Sequence, residues 1–425
     1  MIAVLLGLLA SASPAPAADA RIAALVRAVS AAELRRTDYR LVAFGTRNDF
    51  STTVFTARDW IRGQFETIAA QSGGRMTVRL DTFLQPKTRR TPRAVVESSV
   101  IATLRGDPGA PTYVLSSHFD DCNSRCTDGA GVAPGADDNG SGTAAVLEAA
   151  RVLASTPVHA TIVFACFDGE ELGLWGSDHY ARELKKEGVN VAGDLNDDII
   201  GAPNAPAGSA DSHAVRVFSE ALPVDAKIDD VNAAGSENDS PSRELARFVA
   251  DTGSVYVPDM DTVLIDRADR FLRGGDQESF TAQGFPAVRF VERHEDFRHQ
   301  HQDVRVAQGV QFGDLPSFVD ADYLAQVTRM NVAALAALAL GPGQPTDVRM
   351  PATHLTNDTT LQWRPARDAV RYEIVWRAST SPVWEHATGV GNVTEATVPL
   401  SKDDYIIGVR AVDASGLLSP VVTGL

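Results

Sequence analysis

The sequence predicts an α/β fold: a mixed, largely parallel sheet covered by helices on both faces, followed by a small all-β sandwich. Three observations carry this. β-rich runs alternate with helix-period runs from residue 57 to residue 340. Several runs, such as Thr112–Ser117 and Ala160–Phe167, are apolar or small at nearly every position, as strands buried on both faces are. After Gly341-Pro342-Gly343-Gln344-Pro345 the texture changes to short alternating strands separated by turn residues.

The elements follow in order. Residues 20–41 have helical periodicity. Ala57–Gln71 repeats apolar residues three and four apart and closes on Gly73-Gly74, an amphipathic helix. Thr77–Phe83 and Val95–Leu104 read as strands, with a charged, proline-containing loop between them. Thr112–Ser117 is a buried strand, Thr143–Leu153 a buried helix, Ala160–Phe167 another buried strand and Trp175–Glu187 another helix. Ala214–Leu222 reads as a helix, and Asp229–Arg243 as a polar loop able to shape a pocket. Pro286–Phe290 is the last strand of the sheet, and the Ala/Leu-rich helix Ala321–Leu340 closes the domain. Beyond the linker, strands are expected at Thr360–Trp363, Tyr372–Arg377, Glu395–Val398 and Tyr405–Val412.

Composition bounds the function. The 425 residues are enough for two domains, and a charged share of 22% is that of a folded soluble chain. A net charge of −16 argues against a nucleic-acid partner, because phosphates would be repelled. Residues 2–10 are apolar and residues 11–20 are rich in Ala, Ser and Pro. That pattern is a signal peptide over residues 1–18, too short to span a bilayer, although no Lys or Arg precedes it. It predicts a secreted or periplasmic protein. No later segment reads as membrane-spanning. In an oxidising compartment Cys122 and Cys126 are expected to form a local disulfide, with Cys166 a buried thiol. The expected organisation is residues 1–18 signal, 19–340 α/β domain, 341–345 linker and 346–425 β-sandwich.

Chemistry concentrates after the buried strands, where ligands of α/β sheets gather. In Ser116-Ser117-His118-Phe119-Asp120, residues 118 and 120 share a face at a strand end. His118 can bind a metal ion while Asp120 orients its other ring nitrogen. Gly135–Gly142 (GADDNGSG) holds Asp137 and Asp138 at the entry to a buried helix, where one carboxylate can bridge two cations. Glu170-Glu171 follows a buried strand, and adjacent side chains pointing apart suit one ligand and one base. Alone, each has an ordinary alternative: a polar loop, a helix-capping Asx turn, a solvated acidic turn.

Together, H-x-D, G-A-D-D-N-G-S-G and D-G-E-E-L-G-L resemble the M28 family of di-zinc aminopeptidases, and most of all its secreted bacterial leucyl-aminopeptidase-like members. Asn196-Asp197-Asp198, Gly275-Asp276 with Ser279-Phe280, Gly284–Val288 and His299-x-x-x-Asp303 extend the likeness. The resemblance implies two Zn2+ ions. His118 and Asp198 would hold one, Glu171 and His299 the other, and Asp138 would bridge them. Glu170 would be the general base and Asp120 the partner of His118. Asp198 is chosen over Asp197 by its spacing from Asn196, and His299 over His301 by Asp303 four residues on. His294 is the weaker choice, and His159, His179 and His213 are read as structural or surface residues. The resemblance also implies a cis peptide bond after Asp138. Where several family members carry an oxyanion-binding Tyr, this chain has Phe271-Leu272-Arg273. Arg273 is open to three readings: a substitute for that Tyr, a reader of a substrate carboxylate, or a surface residue.

The expected reaction is hydrolysis of the N-terminal residue from a peptide with a free N-terminus, with Glu170 taking a proton from a zinc-bridging water. The family also offers carboxypeptidases, dipeptidases and single-zinc glutaminyl cyclases, and its fold occurs in receptor ectodomains without ligands. No G-x-S-x-G or H-E-x-x-H pattern supports other hydrolytic chemistry. The C-terminal segment resembles a fibronectin type III module, with Trp363 as its early-strand tryptophan, and is open to two readings: a binding unit for a surface, a polymer or the catalytic domain itself, or a passive stabilising appendage.

Overall fold

The computed structural model describes residues 11–12, 18–204, 210–222, 227–234, 239–351 and 356–424. The expected signal segment lies almost wholly outside them. The eight strands of the main sheet are β1 (Met76–Gln85), β2 (Val95–Leu104), β3 (Thr112–His118), β4 (Thr161–Phe167), β5 (Val191–Asp197), β6 (Ala214–Ser219), β7 (Asp261–Ile265) and β8 (Ala287–Glu292). They lie in the order β1-β2-β4-β3-β5-β8-β6-β7. The centre, β4-β3-β5-β8, is parallel throughout; β1 and β2 on one side and β6 on the other run antiparallel to their inner neighbours. The sheet is therefore mixed, as expected, and all four central strands end at the same edge.

Burial explains the centre. All seven residues of β3 are buried, and the strand ends at His118. β4 pairs with it in parallel, placing His118 opposite Phe167. The helix Gly142–Leu153 is buried on nearly every side, as its Ala- and Val-rich sequence requires. The helix Ala321–Leu340 starts at Asp320, whose carboxylate accepts the N–H groups of Asp322 and Tyr323. It is long and apolar enough to cross a membrane, but 89% of its most apolar window is buried inside the fold, which makes it a core helix.

Two expected elements differ. Ala214–Leu222 contains strand β6, not a helix: Val215 and Val217 are β-branched and fully buried, and the strand adds to the antiparallel edge of β8. The expected loop at residues 229–243 contains most of a short helix (Ile228–Ala234) and the start of a long one (Pro241–Tyr256). Ser240 caps the long helix by accepting the Arg243 N–H at 3.1 Å, and Pro241 occupies the first turn. The Cys122–Cys126 disulfide is present and Cys166 is a buried thiol.

After residue 345 two small sheets face a shared core containing Trp363, Tyr372, Ile374 and Val409. Strands His386–Gly391, Arg371–Ala378 and Tyr405–Val412 form most of one, and Thr346–Arg349, Thr359–Arg364 and Glu395–Val398 the other. Charge joins these sheets to the α/β unit. Asp239 lies 2.8 Å from both Arg247 of the long helix and Arg377 of the β-sheet, with all three side chains at most 6% exposed. Beside it, Glu244 accepts the Trp384 indole N–H and the Val421 amide, each at 3.0 Å. Removing one charge from such a buried set strands the others. Asp239→Asn is therefore expected to lower unfolding free energy by about 3–5 kcal/mol, seen as a lower urea midpoint at unchanged slope.

Candidate metal centre

The site forms where β3, β4, β5 and β8 end. His118, the last residue of β3, is fully buried. Its Nε2 faces Asp138 Oδ1 at 3.3 Å and Asp198 Oδ1 at 3.7 Å. Its Nδ1 faces the Asp120 carbonyl at 3.2 Å and the Asp120 carboxylate at 3.4 Å. That carboxylate also accepts the backbone N–H groups of Glu170 and Glu171, at 3.2 and 3.1 Å. Asp120 thus ties the ring of His118 to the turn carrying the two glutamates.

Asp138 sits in a tight turn that opens at Gly135, where φ is +52°. A side chain there would drive into the Arg47 guanidinium at 2.6 Å and the Asp138 carbonyl at 2.8 Å, so the position needs glycine. Buried Arg47 donates to the carbonyls of Phe119, Pro134 and Gly135. The Asp314 carboxylate accepts the Asp137 N–H at 3.0 Å and the Asp138 N–H at 2.7 Å. The Asp138–Asn139 peptide is cis. The result is a carboxylate with two separate outlooks: Oδ1 faces His118, and Oδ2 faces His301 Nε2 at 3.2 Å. His301 Nε2 also lies 2.8 Å from Glu171 Oε2.

Of the seven residues expected at the site, the structure brings together His118, Asp120, Asp138, Glu170, Glu171 and Asp198. His299 is a correction. Its ring stacks on Phe318 at 3.7 Å between centroids and its Nε2 faces Asp296 at 3.6 Å. His301 takes the expected place. The reason is local: His301 has φ +50°, so the chain turns and presents residue 301 to Glu171. Asp303, whose spacing pointed to His299, instead accepts the Ser124 hydroxyl at 2.8 Å. The Asp197 side chain turns away and pairs with Asn331 of the core helix. Arg273 is no ordinary surface residue: its Nη2 lies 3.9 Å from Asp138 Oδ2, and its Nη1 donates to Gln300 at 2.8 Å.

The donors fit a metal ion. Among the described residues, His118 Nε2, Glu171 Oε1 and Asp198 Oδ1 are buried without a hydrogen-bond partner, an arrangement costly unless a cation satisfies it. His118, Glu170 and Asp198 offer donor atoms within 4.8 Å of one another. So do Glu171 and His301, beside the Cys122–Cys126 sulfurs, which are bonded to each other. The field calls for positive charge. Burial disfavours a charged His118, yet Glu170, Asp120, Asp138 and Asp198 outweigh it and raise its pKa. Glu171 above all pushes His301 up to about 11. Burial raises the Glu170 carboxyl well above its usual range; Asp198, Glu171 and Asp276 add to this and His118 opposes it. His299, by contrast, is lowered by burial. Two imidazoles among carboxylates are a zinc-type donor set.

Exchanging the two histidines separates them. His301→Ala is expected to lose bound zinc in metal analysis of the purified chain, whereas His299→Ala keeps the wild-type content.

Residues 99–306 match the sequence profile of peptidase family M28. A probable zinc metalloprotease of Leptosphaeria maculans is 40% identical over 422 residues, covering 96% of this chain and 97% of its own. Among solved structures, the LapA aminopeptidase of Legionella pneumophila is similar with a TM-score of 0.54 at 18% identity, over 76% of each chain. Porphyromonas gingivalis glutaminyl cyclase gives 0.51 at 19% identity, over 72% of this chain and 98% of its own. At those identities the two structures speak for the fold. The near-full-length relative speaks for more, and with the donor set at the strand ends it makes this chain a zinc metallopeptidase belonging to peptidase family M28.

Proposed function

We propose that the chain is a two-zinc exopeptidase that removes the N-terminal residue from peptides, acting outside the cytoplasm. The observation that carries this reading is the split outlook of Asp138, with Oδ1 toward His118 and Oδ2 toward His301. His118 and Asp198 would hold one ion, Glu171 and His301 the other, and Asp138 would touch both. Bound there, zinc would polarise the scissile carbonyl and acidify water. The remaining work falls to the chain. Asp120 fixes the ring of His118 and the backbone of the glutamate turn at once. Glu170 stands beside His118 and Asp198, and among the described residues its carboxylate makes no hydrogen bond. It is free to take a proton from the attacking water and return it to the leaving amine.

Arg273 supports a second reading. A guanidinium 3.9 Å from Asp138 Oδ2 suits an anionic oxygen near the scissile bond. If that oxygen is the substrate's C-terminal carboxylate, the enzyme is a dipeptidase or carboxypeptidase. Substrate ends distinguish the two. An aminopeptidase cleaves aminoacyl-nitroanilides and C-terminally amidated peptides and ignores N-acetylated ones. Cleavage of N-acetylated peptides, or a strict need for a free C-terminal carboxylate, overturns the first reading. Glu170→Gln is expected to lower kcat about 10²–10⁴-fold while metal analysis still finds two zinc ions.

A further inference from the structure

Behind Asp198 runs a chain of six alternating charges. Asp198 Oδ2 lies 2.7 Å from Arg289 Nη2. Arg289 Nη1 lies 2.9 Å from Asp269 Oδ2 and also donates to the Gly274 carbonyl. Asp269 Oδ1 lies 3.1 Å from Arg270 Nε, and Arg270 Nη1 lies 2.5 Å from Glu295 Oε2. Glu295 Oε1 lies 2.7 Å from Arg216 Nη2. Arg289 is fully buried, and no side chain of the six is more than 17% exposed. Gly275 makes room for it, since a Cβ there would meet Arg289 Nη1 at 2.6 Å.

The chain has two geometric consequences. First, a guanidinium held on Oδ2 leaves Asp198 only Oδ1, the oxygen that faces His118 and has no other partner. Second, the members sit on the pieces that carry the site. Asp269 and Arg270 lie in the loop whose tip, at Leu272 with φ +61°, directs Arg273 inward. Glu295 lies in the loop that leads to His301. Arg289 and Arg216 lie on β8 and β6. Alternation matters energetically, because each buried charge is offset by neighbours of opposite sign, and removing one uncovers the next.

We propose that Arg289 is a positioning residue: by occupying Asp198 Oδ2 it restricts Asp198 to one-oxygen coordination, and through Asp269, Arg270 and Glu295 it holds the loops of Arg273 and His301 in register with it. This rests on the two-metal reading above. Its prediction is unlike that of a merely structural role. With the guanidinium gone, Asp198 can offer both oxygens, so the ion beside His118 gains a ligand and becomes a weaker activator without being lost.

The experiment uses the full chain, stripped with chelator and titrated with Co2+ and with Zn2+. Arg289→Met is made together with Asp269→Asn so that no carboxylate is stranded; Arg289→Lys and Asp269→Asn alone are made beside it. In the double variant the visible Co2+ absorption should weaken, as it does on rising above four-coordination. Both equivalents of zinc should bind at least as tightly as in wild type. kcat should fall about 10-fold or more, with KM within threefold (about 0.65 kcal/mol). Arg289→Lys should recover part of the spectrum and rate, and Asp269→Asn alone should move both in the same direction by less. An unchanged spectrum with unchanged kcat overturns the proposal, as does loss of a zinc equivalent from folded Asp269→Asn. Titration of the stripped wild-type chain separates this from the two-metal reading: if it takes up only one equivalent of zinc, the two-metal reading itself is wrong.

Discussion

Everything at the site depends on one carboxylate being held with its two oxygens facing different partners. A free aspartate would rotate and give both oxygens to one cation. Asp138 is prevented from doing so by its backbone. Gly135 starts the turn with a positive φ that no side chain would tolerate so close to Arg47. Arg47 ties down the carbonyls before it, and Asp314 ties down the amides of Asp137 and Asp138. Asn139 then links to the end of β5 by donating to the Asp197 carbonyl at 2.8 Å. The turn is thus bonded to what surrounds it, and the carboxylate it carries inherits that rigidity.

Charge compensation is the second constraint. The strand ends collect more buried carboxylates than the imidazoles and guanidiniums nearby can balance. The protein answers in two ways. Some acids are neutralised internally, as Asp198 and Asp269 are by Arg289. Others keep donor atoms without hydrogen-bond partners, and at the strand ends these include Glu171 Oε1 and Asp198 Oδ1. Asp239 and Glu295 are met by arginines, whereas His118 Nε2 and Glu171 Oε1 have no hydrogen-bond partner among the described residues and lie where a cation would satisfy them.

Much of this was legible in the sequence because the strand-end clusters are contiguous. His118 with Asp120 and the Glu170-Glu171 pair come directly after apolar runs, and the Gly135–Gly142 turn leads directly into one. The helix Ala321–Leu340 was equally plain from its Ala/Leu content. What stayed hidden is either conformational or distant. His299 and His301 differ by two positions, and the choice is made by one backbone angle at residue 301 that no periodicity encodes. The Asp303 spacing was a true pattern serving a different bond. Ala214–Leu222 reads as a helix, yet Val215-Arg216-Val217 is a strand alternation whose arginine pairs with Glu295, far along the chain. Asp314, Arg47 and Arg289 are isolated in sequence, so nothing marks them until the fold brings them to the site. The cap at Ser240 was available, since Ser-Pro followed by an acidic residue and an apolar-periodic run is a helix start.

The proposed chemistry depends on where two ions would lie. Zinc-edge anomalous diffraction from crystals of the zinc-loaded full chain tests it most directly. Two peaks roughly 3.5–4 Å apart, with Asp138 between them, His118 on one and His301 on the other, are what the account predicts. A single peak, or a peak held by His299, would contradict it.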